Sequence, residues 1–143
     1  MRDGISFLLL VGSVSLPLAG CEKEEDERVT LGLELQSSYR DAFCAVASDS
    51  ACSTDDSTCA FQPYDSMEAC ESVVNVSFAN CSNLWVPLAD AEAEVRTCIQ
   101  ALESFTCGAE GLCDEGGYSV FPLPECEVIV DLQTLWCEPP DTF

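Results

Sequence analysis

The sequence predicts an all-α domain, a small disulfide-stapled bundle of about four helices with long, cysteine-pinned loops. Two observations predict this class. Apolar residues recur at helical spacing in four segments between positions 30 and 136. Ten of the 11 cysteines follow position 30, a density at the level of disulfide scaffolds, which is roughly 8% or more. Because no two of these cysteines are closer than six positions, the C-x-x-C motifs of zinc ribbons and redox proteins are absent.

The first helix is predicted from Thr30 to about Ser48, with Thr30 as its cap. Its apolar positions follow the helical period: Leu31, Leu35, Tyr39, Ala42, Phe43 and Val46. Positions 48–62 are rich in Ser, Thr and Asp, so we expect a loop there, pinned by Cys52 and Cys59.

The second helix is predicted to start at Asp65-Ser66-Met67-Glu68, which is similar to a capping box, with Asp65 accepting from the first amides. One face of this helix is apolar: Met67, Cys70, Val74, Phe78 and Cys81. The third helix has Pro87 in its first turn and the clearest period in the chain: Leu88, Ala91, Val95, Cys98, Ile99, Leu102 and Phe105.

Glycines and prolines predict a loop over 106–124, stapled at Cys107 and Cys113, with Tyr118 and Phe121 as exposed contact aromatics. A final helix is expected over about 125–136, although Val128-Ile129-Val130 also suits a strand. Trp85 and Trp136 each lie near a cysteine, which favours semi-buried packing over a ligand-binding role.

The ten cysteines are predicted to form five structural disulfides, and spacing alone leaves their pairing open. They are Cys44, Cys52, Cys59, Cys70, Cys81, Cys98, Cys107, Cys113, Cys126 and Cys137. Eleven positions separate Cys70 from Cys81 and Cys126 from Cys137, so each pair lies on one side of a helix. The two segments are similar either by chance or through internal duplication.

Composition excludes several functions. The net charge of -21 excludes a general nucleic-acid binder, because that affinity depends on Lys and Arg. Histidine is absent, which removes Ser-His and Cys-His catalysis and imidazole metal sites. Carboxylates are plentiful, but no pair stands apart as a general acid and base. We therefore expect no catalytic residues and a protein that is not an enzyme.

Two acidic loops were considered as calcium sites, since Ca²⁺ prefers carboxylate and carbonyl oxygens. One contains Asp49, Asp55 and Asp56, and the other contains Glu110, Asp114 and Glu115. Neither follows the spacing of an EF-hand loop. The expectation is weak divalent-cation binding at most, with no specific metal site and no cofactor.

The first 20 residues form a predicted signal peptide. Its apolar stretch, Ile5 to Leu16, is too short to span a bilayer. It leads into Leu18-Ala19-Gly20-Cys21, which resembles the lipobox of bacterial lipoproteins. That resemblance implies recognition of Leu18, Ala19 and Gly20 by the signal peptidase and lipidation of Cys21, which would also account for the odd eleventh cysteine. The alternative is an ordinary secretory signal followed by an unmodified Cys21.

An acidic tether is expected at 21–29, where Cys21 is followed by charged residues that like-charge repulsion would keep extended. Positions 22–26 also resemble the lysine-then-acidic export signal of surface lipoproteins of the Bacteroidetes type. The cysteine-rich helical domain is predicted to occupy 30–143.

In layout, the chain is similar to the uncharacterised cysteine-rich lipoproteins of myxobacteria and their relatives. The likeness lies in the lipobox, the tether and the cysteine-bearing first helix around Tyr39–Cys44. It implies a bacterial cell-envelope protein, lipid-anchored in the outer membrane and facing the periplasm or the exterior. The anchor, the disulfide scaffold and the lack of catalytic side chains predict a module that binds a protein or surface, and the net charge of -21 excludes nucleic acid as its partner. The alternative is a carrier of small apolar, lipid-type ligands, with a cavity lined by Val74, Val95, Ile99 and Leu132.

Overall fold

A computed structural model describes residues 19–52, 64–81, 83–107, 112–113 and 119–137, with side chains from Lys23 onward except that of Trp136. These ranges contain five α-helices: α1 (Ala19–Ala47), α2 (Met67–Ala79), α3 (Trp85–Asp90), α4 (Glu92–Ser104) and α5 (Glu127–Trp136). Short 3₁₀ turns lie at Ser50–Cys52 and Pro124–Cys126. No β-strand occurs in these ranges, only isolated bridges. The all-α prediction is confirmed.

Helix α1 begins at Ala19, well before the predicted start at Thr30. Glu, Lys and Arg are good helix formers, so the acidic stretch continues the helix instead of extending, and residues 23–28 are exposed along it. The Thr30 hydroxyl donates to the Asp26 carbonyl oxygen at 2.9 Å, so the predicted capping role of Thr30 is wrong. An ion pair between Arg28 and Asp90 joins this part of α1 to α3.

Helix α2 is capped by Ser66, not by Asp65. The Ser66 hydroxyl accepts from the Ala69 amide at 3.1 Å, and its extended backbone is the conformation a cap requires. In α5 the run of β-branched residues is helical, because Ile129 points into the core while Val130 is 40% exposed. Helical amphipathicity therefore prevails over the local strand preference.

The third predicted helix is two helices in the structure. Ala91 leaves the helical conformation, with φ -101° and ψ 29°. Its amide donates to the Pro87 carbonyl and ends α3, while its own carbonyl accepts from Val95 and starts α4. The bundle therefore has five helices in the described ranges instead of about four. The apolar period continues across the break, since Leu88 and Val95 are both buried.

One apolar core joins all five helices. Its fully buried residues include Leu35 of α1, Leu88 of α3, Leu102 of α4 and Ile129 of α5, and α2 contributes Phe78. A smaller cluster forms beside the loops from Val46, Cys52 and Leu112. No polar or charged side chain is buried in the part of the chain that the structure describes.

Phe121 belongs to this packing and not to an exposed contact surface. Its ring meets those of Phe43 and Phe105, with centroids 5.6 Å away in both cases. The expectation that Phe121 is an exposed contact aromatic is therefore wrong. Tyr118 lies outside the described residues.

Between pairs of described cysteines, four disulfides join the helices and their adjoining loops, which confirms the disulfide scaffold. Cys44 of α1 bonds Cys70 of α2, and Cys98 of α4 bonds Cys126 just before α5. The other two bonds are Cys52–Cys107 and Cys81–Cys137. Cys113 is disulfide-bonded as well, and Cys59 lies outside the described residues. Cys52 and Cys107 thus do not staple their own loops, since they join one loop to the other.

The bonding pattern divides the domain into two similar halves. In the first half, Cys44–Cys70 joins α1 to α2 over 26 residues, and in the second half, Cys98–Cys126 joins α4 to the turn before α5 over 28 residues. Between the halves, bonds join positions separated by 55 residues, at Cys52–Cys107, and by 56, at Cys81–Cys137. These two bonds join equivalent positions of the two halves, whereas Cys44–Cys70 and Cys98–Cys126 each lie within one half. Internal duplication of a helix-loop-helix unit would produce this register.

The burial of Tyr39 predicts that the domain loses stability at alkaline pH. Burial raises the pKa of Tyr39 to about 12, and its ring packs against those of Phe43 and Phe78. Because this pKa lies above the unfolded value near 10, the stabilisation by the neutral phenol is complete below pH 10 and is lost as the pH rises toward 12. As the pH rises from 9 to 11, we expect the free energy of unfolding to fall less in Tyr39→Phe than in the unmodified protein. Urea unfolding at each pH measures this difference. Parallel curves would contradict this.

Candidate functional site

A surface groove of about 720 Å³ lies between the first half of α1, the α3 segment and α5. Its volume is typical of small-molecule sites, which span about 300–1,000 Å³. Most of its lining is apolar: Val29, Trp85, Val86, Pro87, Ala91 and Leu132. The polar lining residues are Glu25, Asn83 and Asp90.

Two backbones approach each other closely beside the groove. Gly32 of α1 packs directly on the Trp85 carbonyl group, and a Cβ at position 32 would lie 2.6 Å from the Trp85 Cα and closer still to its carbonyl. Glu25, Val29 and Gly32 are spaced i, i+4 and i+7, so they share one face of α1. This face therefore holds α3 through Gly32 and lines the groove through the other two.

The turn before α3 places Asn83 at the edge of the groove. Asn83 has φ 59°, in the left-handed region. Asparagine tolerates this region better than other side chains that carry a Cβ. The turn leads directly into α3, where Trp85 is partly buried as predicted. The side chain of Trp136 lies outside what the structure describes.

The charges at the groove are unevenly balanced. Arg28 is ion-paired with Asp90, so that carboxylate already has a cationic partner. Glu25 is exposed and makes no ion pair with any other described residue. The remaining described arginines are also paired, Arg40 with Asp41 and Arg96 with Glu92. Among the described residues, the groove therefore presents one unpaired carboxylate, and no cationic side chain lines it.

The predicted lipidation segment lies at the start of α1. Ala19, Gly20 and Cys21 are the first three residues of that helix, and Leu18 lies outside the described ranges. Cys21 is one helical turn before Glu25 in the sequence of α1, a rise of about 6 Å. Across the described ranges, no helix has the length and apolar character needed to cross a membrane.

The other sites considered from the sequence are not assembled in the described ranges. Asp49 accepts from the Ala51 amide at 2.8 Å, which is a local turn contact. The other five acidic residues of the two candidate calcium loops lie outside those ranges. Among the residues described, no group of three or more Cys, Asp or Glu side chains is placed to hold a metal ion.

The residues proposed to line a carrier cavity are divided between two places. Val74, Val95 and Ile99 belong to the apolar core, while Leu132 lines the groove. Sequence analysis missed the groove because its residues come from three separated segments. The helical spacing of Glu25, Val29 and Gly32 is the one signal that could have pointed to it.

Comparison with known proteins finds no matching family model, no matching curated protein and no matching solved structure.

Proposed function

We propose that this protein is a lipid-anchored, non-enzymatic component of the bacterial cell envelope that presents a rigid helical module to a partner protein or surface. The observation that carries the proposal is the tetrapeptide Leu18-Ala19-Gly20-Cys21 directly after an apolar stretch of signal-peptide length. Acylation of Cys21 would provide the anchor, since each buried CH₂ contributes about 0.8 kcal/mol and two or more chains give stable attachment.

The disulfide scaffold supports export from the cytoplasm. Four described disulfides cross-link the helices, and such bonds form and persist in oxidising compartments. The start of α1 bears on how the domain would be held. If Cys21 is the first residue of the mature chain, the anchor leads directly into a helix that packs in the domain. The module would then stand close to the outer membrane, on its periplasmic or exterior side, and not on a long flexible linker.

The surface supports a binding role without catalysis. Every described carboxylate is exposed or partly exposed, and none is held in an apolar pocket where a general acid would be tuned. A net charge of -21 disfavours anionic polymers and favours basic or cationic partners. The module would therefore bind a basic protein segment or a cationic surface.

A small-ligand carrier is the second candidate. The groove favours it, because a largely apolar cleft of about 720 Å³ has the size and lining of ligand sites. The groove is not the internal cavity predicted from the sequence. It is open at the surface, and of the four residues predicted to line the cavity, only Leu132 lines the groove.

Replacing Cys21 by serine tests the anchor. The native protein is expressed in a bacterium that processes lipoproteins and exports them to an oxidising compartment. It should then fractionate with membranes. Its non-reducing mass should show acyl chains on Cys21 and ten fewer hydrogens than the reduced chain. Cys21→Ser should instead yield uncleaved or soluble protein without acyl mass, because no thiol is present to form the thioether.

The matched control is Ala19→Ser, which keeps a small side chain before the cysteine and should still be processed and acylated. Unchanged processing and membrane fractionation in Cys21→Ser would refute the anchor. Both variants leave the ten domain cysteines intact, so a loss of anchoring would not come from a loss of disulfides.

A further inference from the structure

We infer that the groove between α1, α3 and α5 binds small ligands with an apolar body and a single cationic head, such as an alkyl or arylalkyl amine. The inference rests on the second candidate function, the small-ligand carrier, and names its ligand class; it does not depend on acylation of Cys21. It rests on the groove's apolar lining, its unpaired Glu25 carboxylate and the pairing of its other carboxylate, Asp90, with Arg28.

The apolar body of such a ligand has a surface to cover. Val29, Val86 and Leu132 line the groove from three different elements, and all three are partly exposed. Trp85 adds an aromatic wall, held in place because its backbone packs on Gly32. A ligand in the groove would remove this apolar area from water, which favours binding before the costs of association are counted.

The charge of the head group follows from the ion pairs. A carboxylate or phosphate head would meet the Glu25 carboxylate, and none of the described residues that line the groove is cationic. The neighbouring Arg28 is already engaged by Asp90. An ammonium head would meet the unpaired Glu25 carboxylate. The Trp85 indole, which lines the same groove, could add a cation–π interaction with that head. Electrostatic complementarity therefore selects amines over acids, mainly as a matter of specificity.

Two probes with the same body and opposite heads test this selection. 4-Phenylbutylamine and 5-phenylpentanoate share a phenyl ring and a four-carbon chain, and differ in the charged group. Calorimetric titration is performed in 0.15 M salt on the soluble form of the Cys21→Ser protein, so that neither lipid nor detergent competes. Failure of the anchor proposal thus leaves this experiment unaffected, and failure here leaves the anchor proposal standing.

We expect saturable one-to-one binding of the amine, about fivefold tighter than that of the acid, which corresponds to the upper range for an exposed charge pair. Glu25→Gln should reduce the preference to less than about twofold, since it removes the unpaired carboxylate and keeps the side-chain shape. Val86→Ser should weaken both probes by the same factor, because it changes only the apolar lining.

The matched control is Glu24→Gln. It removes the same charge one position away, from an exposed residue that does not line the groove. It should leave the preference for the amine unchanged. An equal effect of Glu24→Gln and Glu25→Gln would assign the preference to the net charge of the whole chain and overturn the inference. Absence of saturable amine binding, or binding of the acid as tight as that of the amine, would overturn it as well.

Discussion

Replacing Gly32 by alanine is expected to destabilise the domain by about 2–3 kcal/mol, in the range of overpacked buried sites. In an exposed helix the same change would stabilise by about 1 kcal/mol, because alanine is the better helix former. At this position the steric effect dominates, since the new Cβ would overlap the Trp85 carbonyl group. The overlap is with backbone, so α3 must move away from α1 as a unit. Urea unfolding followed by circular dichroism measures the loss.

The groove provides a second readout of this variant. Because Trp85 lines the groove, moving α3 should also weaken binding of 4-phenylbutylamine. The control is Leu33→Ala, on the neighbouring position of α1, where the side chain is 50% exposed. That change should alter stability by no more than about 0.5 kcal/mol. Native stability in Gly32→Ala would show that α1 and α3 do not make this contact.

Removing one disulfide within a half is expected to have the largest effect on stability. The double variant Cys98→Ala/Cys126→Ala opens a bond that spans 28 residues, and the chain-entropy relation for a loop of this length gives about 3.5 kcal/mol. Both cysteines are buried, Cys98 at 0% and Cys126 at 3% exposure, so replacing them by alanine also removes packing contacts in the core. The measurement is urea unfolding of the oxidised proteins under non-reducing conditions.

The equivalent bond of the other half provides the comparison. Cys44→Ala/Cys70→Ala opens a span of 26 residues, so the loss of stability should agree within about 1 kcal/mol if the halves are equivalent. Thr97→Ala, at an exposed neighbour of Cys98 on α4, is the control and should change little. If either double variant unfolded at the same urea midpoint as the unmodified protein, the assigned bonds would be contradicted. Non-reducing peptide mapping would then have to reassign them.

The sequence predicted the helices better than their ends. The apolar periods placed Leu35, Val74, Val95 and Ile129 in helices, and all four are buried. The starting points differed, because a cap depends on side-chain geometry that the residue pattern leaves open. Asp65 and Ser66 are both good capping residues, and it is Ser66 that takes the extended conformation and accepts from the Ala69 amide.

The break at Ala91 shows the same limit within a helix. The apolar period passes through it unchanged, so nothing in the pattern of residues indicates two helices. The break lets α3 lie on α1 through the contact of Gly32 with Trp85, while α4 continues to pack against α1 from its own position. Packing between helices thus decided what periodicity alone treated as one element.

By itself the sequence determined the all-α class, the inward faces of the first three predicted helices and the need for disulfides, because these follow from period, composition and cysteine number. The cysteine pairing, the groove and the environment of Glu25 were decided by the tertiary structure. Each depends on which distant segments meet: Cys52 with Cys107, Gly32 with Trp85, and Arg28 with Asp90. Local patterns record what one segment prefers, whereas these contacts exist only after several segments have packed into a common core.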